Sequence, residues 1–81
     1  MRPKKTARYT LERQLPTGEI KATPDTVTLK EAGQFTGMCL FDNGVTSKAD
    51  AQKIGRRLEL FEVGEWLDTV GGYRFRILAV Q

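Results

Sequence analysis

The sequence predicts one α+β domain: a small, mainly antiparallel sheet of two hairpins and a central strand, packed by one α-helix. Three observations lead there. Two stretches alternate apolar and polar residues on either side of a turn signal. One stretch repeats its apolar residues at helical spacing behind a capping residue. The 81 residues, 40% of them hydrophobic, leave room for a single small core.

The first hairpin is read from Tyr9, Leu11, Arg13 and Leu15, which alternate with Thr10, Glu12 and Gln14. Leu15-Pro16-Thr17-Gly18 places proline and glycine where a type I turn accepts them. Ile20 and Ala22 then alternate with Glu19 and Lys21, and Pro24 ends the run because it cannot donate to a ladder.

Residues 26–35 are open between strand and helix. Thr26-Val27-Thr28-Leu29 alternates like a strand, whereas Lys30-Glu31-Ala32-Gly33 prefers helix. Met38-Cys39-Leu40-Phe41 is continuously apolar between Gly37 and Asn43-Gly44, the pattern of a short strand buried on both faces. The clearest helix starts at Ser47, with Asp50 completing an S-x-x-D capping box. Ala51, Ile54, Leu58 and Phe61 form its apolar stripe, and Gly64 suits a C-terminal stop. Gly55 weakens this helix, and Glu59 and Glu62 oppose its dipole, so it is expected to end near Leu58.

The second hairpin joins Trp66–Val70 to Tyr73–Val80 through Gly71-Gly72, a pair suited to a type I′ turn. Pairing Val70 with Tyr73 sends Trp66, Val70, Tyr73, Phe75 and Ile77 to the core face. Leu67, Thr69, Arg74 and Arg76 then face solvent.

Charge is unevenly distributed. Residues 1–13 hold five bases against one acid, and residues 14–81 hold eight bases against nine acids. The net +3 is thus carried by an N-terminal segment, with residues 1–7 read as a basic arm and 8–81 as the domain. No apolar h-region follows the first residues, and no apolar run approaches a membrane span, so a cytoplasmic protein without membrane contact is expected.

The chain has no histidine and one cysteine, Cys39. That inventory excludes an imidazole base, a Ser-His-Asp relay, an ordinary zinc site and an internal disulfide. Cys39, in the most apolar tetrapeptide, reads as a small buried hydrophobe. The glycines match neither a phosphate-binding loop nor a dinucleotide fingerprint. Glu59, Glu62, Glu65 and Asp68 recur every three residues, but so short a chain leaves little room for a sugar cleft between paired carboxylates. No catalysis and no cofactor are expected.

The function expected from this is stoichiometric binding of a protein partner, as in small accessory, adaptor or inhibitor proteins, including those of phages and mobile elements. The contact residues expected are Leu67, Arg74 and Arg76, with Glu59 and Glu62 from the acidic strip. The alternative is nucleic-acid binding by Arg2, Lys4, Lys5, Arg8 and Arg13 of the N-terminal segment, joined by Arg74 and Arg76. An open edge strand also allows pairing into a homodimer.

Thr28-Leu29-Lys30-Glu31-Ala32-Gly33-Gln34-Phe35-Thr36-Gly37 resembles the opening helix of MerR-type and excisionase-type winged helix-turn-helix proteins. Gly72-Tyr73-Arg74-Phe75-Arg76 is somewhat like their basic wing. The resemblance covers about ten residues and a short wing, and implies DNA binding. It departs after Gly37, where a second helix is due and Met38–Phe41 reads as strand, so no family is assigned.

Overall fold

The computed structural model of the protein describes residues 1–80. It has the predicted class, with a five-stranded antiparallel sheet, but carries two helices where the sequence predicted one. The chain runs β1 (Arg8–Gln14), β2 (Ile20–Ala22), β3 (Val27–Thr28), α1 (Leu29–Asp42), α2 (Lys48–Leu58), β4 (Leu67–Asp68) and β5 (Arg74–Ala79). The sheet order is β2-β1-β5-β4, with β3 also paired to β1. Its long central ladder joins the two chain ends, from Tyr9 opposite Ala79 to Gln14 opposite Arg74.

The first hairpin forms as the sequence indicates. The Gly18 N–H donates to Leu15 O and the Leu15 N–H to Glu19 O, both at 2.8 Å. Gly18 takes φ +94, so glycine closes the turn at a conformation other residues resist.

Residues 26–35 divide at Thr28. Val27 and Thr28 pair with β1, and Thr28 then caps α1. The Thr28 Oγ1 accepts the Glu31 N–H at 3.2 Å, while Glu31 Oε1 accepts the Thr28 N–H at 2.9 Å. This capping box satisfies donors that a helix start leaves free. Met38–Phe41, expected as a strand, is instead the last turn of α1. Only Leu40 of that run is fully buried, whereas Met38 and Phe41 are exposed. An apolar run this short fits strand or helix equally, and the capped start upstream decides it.

Helix α2 begins and ends where predicted, though of the Ser47–Asp50 capping box only the Ser47 half is formed among the described residues. Ser47 Oγ accepts the Asp50 N–H at 3.3 Å, and the helix stops at Leu58. Gly55 is no weakness of sequence here. It lies against Gly33 of α1, where neither helix has space for a Cβ atom.

The second hairpin has its Gly71-Gly72 turn, both at positive φ, with the Tyr73 N–H donating to Val70 O at 3.3 Å. Its register nevertheless differs by one residue. The Thr69 N–H donates to Tyr73 O, so Thr69 and Val70 together face Tyr73, and Leu67 pairs with Phe75. A slip of one exchanges the faces of β4. Leu67 is therefore fully buried, Val70 is exposed, and Trp66 lies on the outer side of the sheet.

The core gathers Leu11, Leu67, Phe75 and Ile77 from the sheet with Leu40 and Leu58 from the helices. Ile54 and Phe61 pack at its margin. Helix α1 packs on one sheet face, α2 packs on α1 and adds Leu58 to the same core, and the opposite sheet face is open. Residues 1–7 are tied to this body: the Val63 N–H donates to Met1 O at 2.9 Å, and the Lys4 N–H to the Tyr9 hydroxyl at 2.7 Å.

Candidate functional site

The residues expected to make one contact surface lie apart. Leu67 is in the core and meets no solvent. Arg74 and Arg76 alternate with buried Phe75 and Ile77, so they stand on the open sheet face. Their guanidinium groups are engaged there. Arg76 pairs with Glu12 at 2.7 Å, and Arg74 pairs with Asp68 and donates to Gln14 Oε1 at 3.2 Å. Trp66 lies beneath both, with ring centre 4.9 Å from Arg74 and 4.2 Å from Arg76. Each cation is matched by a carboxylate and an aromatic face, which holds the sheet's outer side together.

Glu59 and Glu62 are on neither arginine's side chain. Glu59 caps α2 and lines the surface between the helices. Glu62 lies 3.8 Å from the Met1 amino group, while its N–H donates to Glu65 Oε1.

The basic N-terminal residues also separate. Arg8 donates through Nε and Nη2 to the hydroxyl and carbonyl of Thr26. Arg13 follows Tyr9 and Leu11 on the helix-facing side of β1, and donates to the Cys39 Sγ at 3.4 Å. Cys39 is half-buried and also receives a bond from Asn43 Nδ2. Arg2, Lys4 and Lys5 remain exposed.

The open surface lies on the helices. A shallow groove of about 480 Å³ runs over the α1–α2 crossing. Its floor is the small-residue seam of Gly33 and Gly37 on α1 against Ala51 and Gly55 on α2. With nothing larger than the Ala51 methyl at the seam, the longer neighbours on both sides become walls: Gln34, Met38 and Phe41 on one, Lys48, Gln52 and Arg56 on the other. Phe35, Met38 and Phe41 are 41%, 54% and 49% exposed, three large apolar groups on one 14-residue helix. Large apolar side chains exposed together on one helix point to an interaction surface.

Charge follows the same division. Helix α2 carries Lys48, Lys53, Arg56 and Arg57 against Asp50 alone. Among the described residues these four cations make no ion pair and no side-chain hydrogen bond, and nor does Lys30 at the start of α1. Counting charge over residues 14–81 hides this, because the acidic run from Glu59 to Asp68 cancels it. Two sequence signals point to the surface: Gly33-x-x-x-Gly37 with Ala51-x-x-x-Gly55, and the basic bias of 48–57.

Among the described residues no helix is long and apolar enough to cross a membrane. Comparison with family models, curated proteins and solved structures finds no match to this chain.

Proposed function

We propose that the protein is a small non-catalytic module that works stoichiometrically by binding a protein partner, with the α1–α2 face as its contact surface. The observation that carries this reading is the exposure of Phe35, Met38 and Phe41 beside an open groove. The other large exposed hydrophobics, such as Ile20, Leu60 and Val70, are scattered over turns and strand ends. The absence of histidine from the sequence supports a binding role over an acid–base enzyme.

Nucleic-acid binding by the N-terminal segment with Arg74 and Arg76 takes second place. Four of the seven residues it needs, Arg8, Arg13, Arg74 and Arg76, already have partners within the chain.

A photo-crosslinking amino acid placed at Met38, and separately at Ile20 on the sheet edge, tests the reading in expressing cells. The expected result is a covalent adduct with a defined protein from Met38 alone, lost when Phe41→Glu is added. Phe41 is half-exposed in the last turn of α1, so circular dichroism of the Phe41→Glu protein checks that loss of the adduct is not loss of the fold. Adducts with nucleic acid, or equal adducts from both positions, count against it.

A further inference from the structure

The groove's walls and charges narrow the kind of protein segment that fits it. We propose that its occupant is an amphipathic α-helix bearing carboxylates, its apolar stripe on Met38 and Phe41 and its acids on Lys30, Lys48 and Arg56; this rests on the reading of the α1–α2 face as protein-binding.

The helical form follows from backbone bonding. Every wall and floor residue of the groove belongs to α1 or α2, apart from the cap Glu59, and beyond their first turns the backbone N–H groups of those helices are bonded within them. An extended segment laid here would find no ladder of donors and acceptors, and its own N–H and C=O groups would lose water without replacement. A helix brings its backbone already satisfied. The glycine seam adds a reason of shape, since close approach of α1 and α2 leaves a trough between two rows of longer side chains. A third helix packs into such a trough by setting its ridge of side chains between them.

The carboxylates follow from the lining charges. Lys30, Lys48 and Arg56 border the groove, Glu59 is the one acid among its lining residues, and those cations have no ion-pair partner among the described residues. A helix with acids flanking its apolar stripe pairs them at the rim while excluding water from Met38 and Phe41. Met38, unbranched and polarisable, adapts to different apolar partners. A nucleic-acid backbone fits less well: its phosphates can meet the cations but cover neither exposed Met38 nor exposed Phe41, which an apolar stripe does. A second copy meeting face to face on this groove would add three more cations and a single further acid to the same contact.

The test uses a displayed library of helical peptides of about 14 residues, the length that matches α1 at roughly 1.5 Å rise per residue. It is selected on the full protein, on Met38→Glu and on Lys48→Glu/Arg56→Glu. Selection on the unmodified protein is expected to enrich peptides with an apolar stripe and excess Asp and Glu. Met38→Glu loses them, and the double reversal weakens them by about tenfold or more and enriches Lys- and Arg-rich peptides instead. Circular dichroism of both variants checks that they fold. Enrichment without acidic bias, unchanged preference after charge reversal, or no enrichment at all overturns the inference. So does a dimer in sedimentation that Met38→Glu dissociates, or duplex DNA or RNA shifting the Met38 and Gln52 amides in NMR spectra. A partner crosslinked at Met38 through a basic or extended segment also overturns it, yet leaves protein binding at this face intact.

Discussion

Gly33 of α1 and Gly55 of α2 meet backbone to backbone. A Cβ on Gly33 would lie 2.6 Å from the Gly55 carbonyl oxygen, and one on Gly55 would lie closer still to that of Gly33. The obstacle is main chain on both sides, so no side-chain rotation relieves it. In an isolated helix Gly→Ala gains about 1 kcal/mol of propensity. Here the overlap outweighs that gain, and Gly55→Ala is expected to lower stability by about 1–3 kcal/mol in denaturant unfolding. The groove should widen with it, because the helices must part. A Gly55→Ala protein of unchanged or raised stability shows that the two backbones do not touch.

Leu67 and Trp66 provide a direct reading of the β4 register. Leu67 is fully buried, whereas Trp66 lies half-exposed against Arg74 and Arg76. Leu67→Ala is expected to cost about 2–5 kcal/mol. Trp66→Ala forfeits mainly its stacking with the arginines, roughly 1–2 kcal/mol. Denaturation midpoints with the reverse ranking restore the register in which Val70 faces Tyr73.

Arg76 and Glu12 form the better-shielded ion pair of the open sheet face, with side chains 27% and 19% exposed. Arg74 and Asp68 are 39% and 75% exposed. A double-mutant cycle of Glu12→Gln with Arg76→Met is expected to give a coupling of about 1 kcal/mol, and the Arg74–Asp68 cycle less than half of it. Both couplings fall with added salt, the second more steeply. Coupling near zero at Glu12–Arg76 frees that arginine for a partner and revives the sheet face as a binding surface.

These results mark where residue patterns were informative and where they were ambiguous. Alternation from Tyr9 to Ala22 and the Ser47 cap each had one reading, because turn and cap chemistry agreed with periodicity. Helix α1 was obscured by its own packing. Its buried positions include Gly33, Thr36 and Gly37, which carry no apolar signal, while its exposed positions include Phe35, Met38 and Phe41, which do. Apolar periodicity misleads where a helix packs through glycine and presents large side chains outward. The same inversion concealed the candidate site. Arg76 looked free because its partner Glu12 lies 64 residues away in sequence, whereas Arg74 pairs with Asp68 only six residues off, across the strand pair whose register differs from the predicted one. The second hairpin shows a different limit, since one extra residue at Thr69–Val70 preserves the turn and exchanges the faces.

Thr36 is the fully buried polar residue on α1, and its hydroxyl has no hydrogen-bond partner among the described residues. An unsatisfied buried hydroxyl costs about 1–3 kcal/mol. Thr36→Val keeps the branched shape without it and is expected to stabilise the protein by roughly 1 kcal/mol. Thr36→Ala removes a packed methyl as well and should gain less or lose stability. A loss with valine, measured by equilibrium unfolding, means that the hydroxyl has a partner such as an internal water.

Glu31 makes the start of α1 sensitive to acid. The Thr28 N–H bonded to its carboxylate, with the Thr28 hydroxyl second, holds its pKa below the ordinary glutamate value; partial burial opposes this and Arg8 adds to it. The charged form is therefore favoured in the folded state. Between the lowered and the ordinary pKa the unfolded chain binds more protons, so stability rises with pH across that interval. The contribution is complete above the ordinary glutamate value and is lost as pH falls through the lowered one. Glu31→Gln keeps an acceptor for the Thr28 N–H but removes the charge, and with it the pH response. The unmodified protein should melt above Glu31→Gln at neutral pH, and the difference should close as pH falls through the lowered value. Subtracting the two melting curves cancels the other carboxylates, which titrate in both. A difference that persists unchanged into acid assigns the capping effect to shape alone. Lys30 sits between Thr28 and Glu31 in sequence, so loosening this turn should also weaken acidic-peptide binding at low pH.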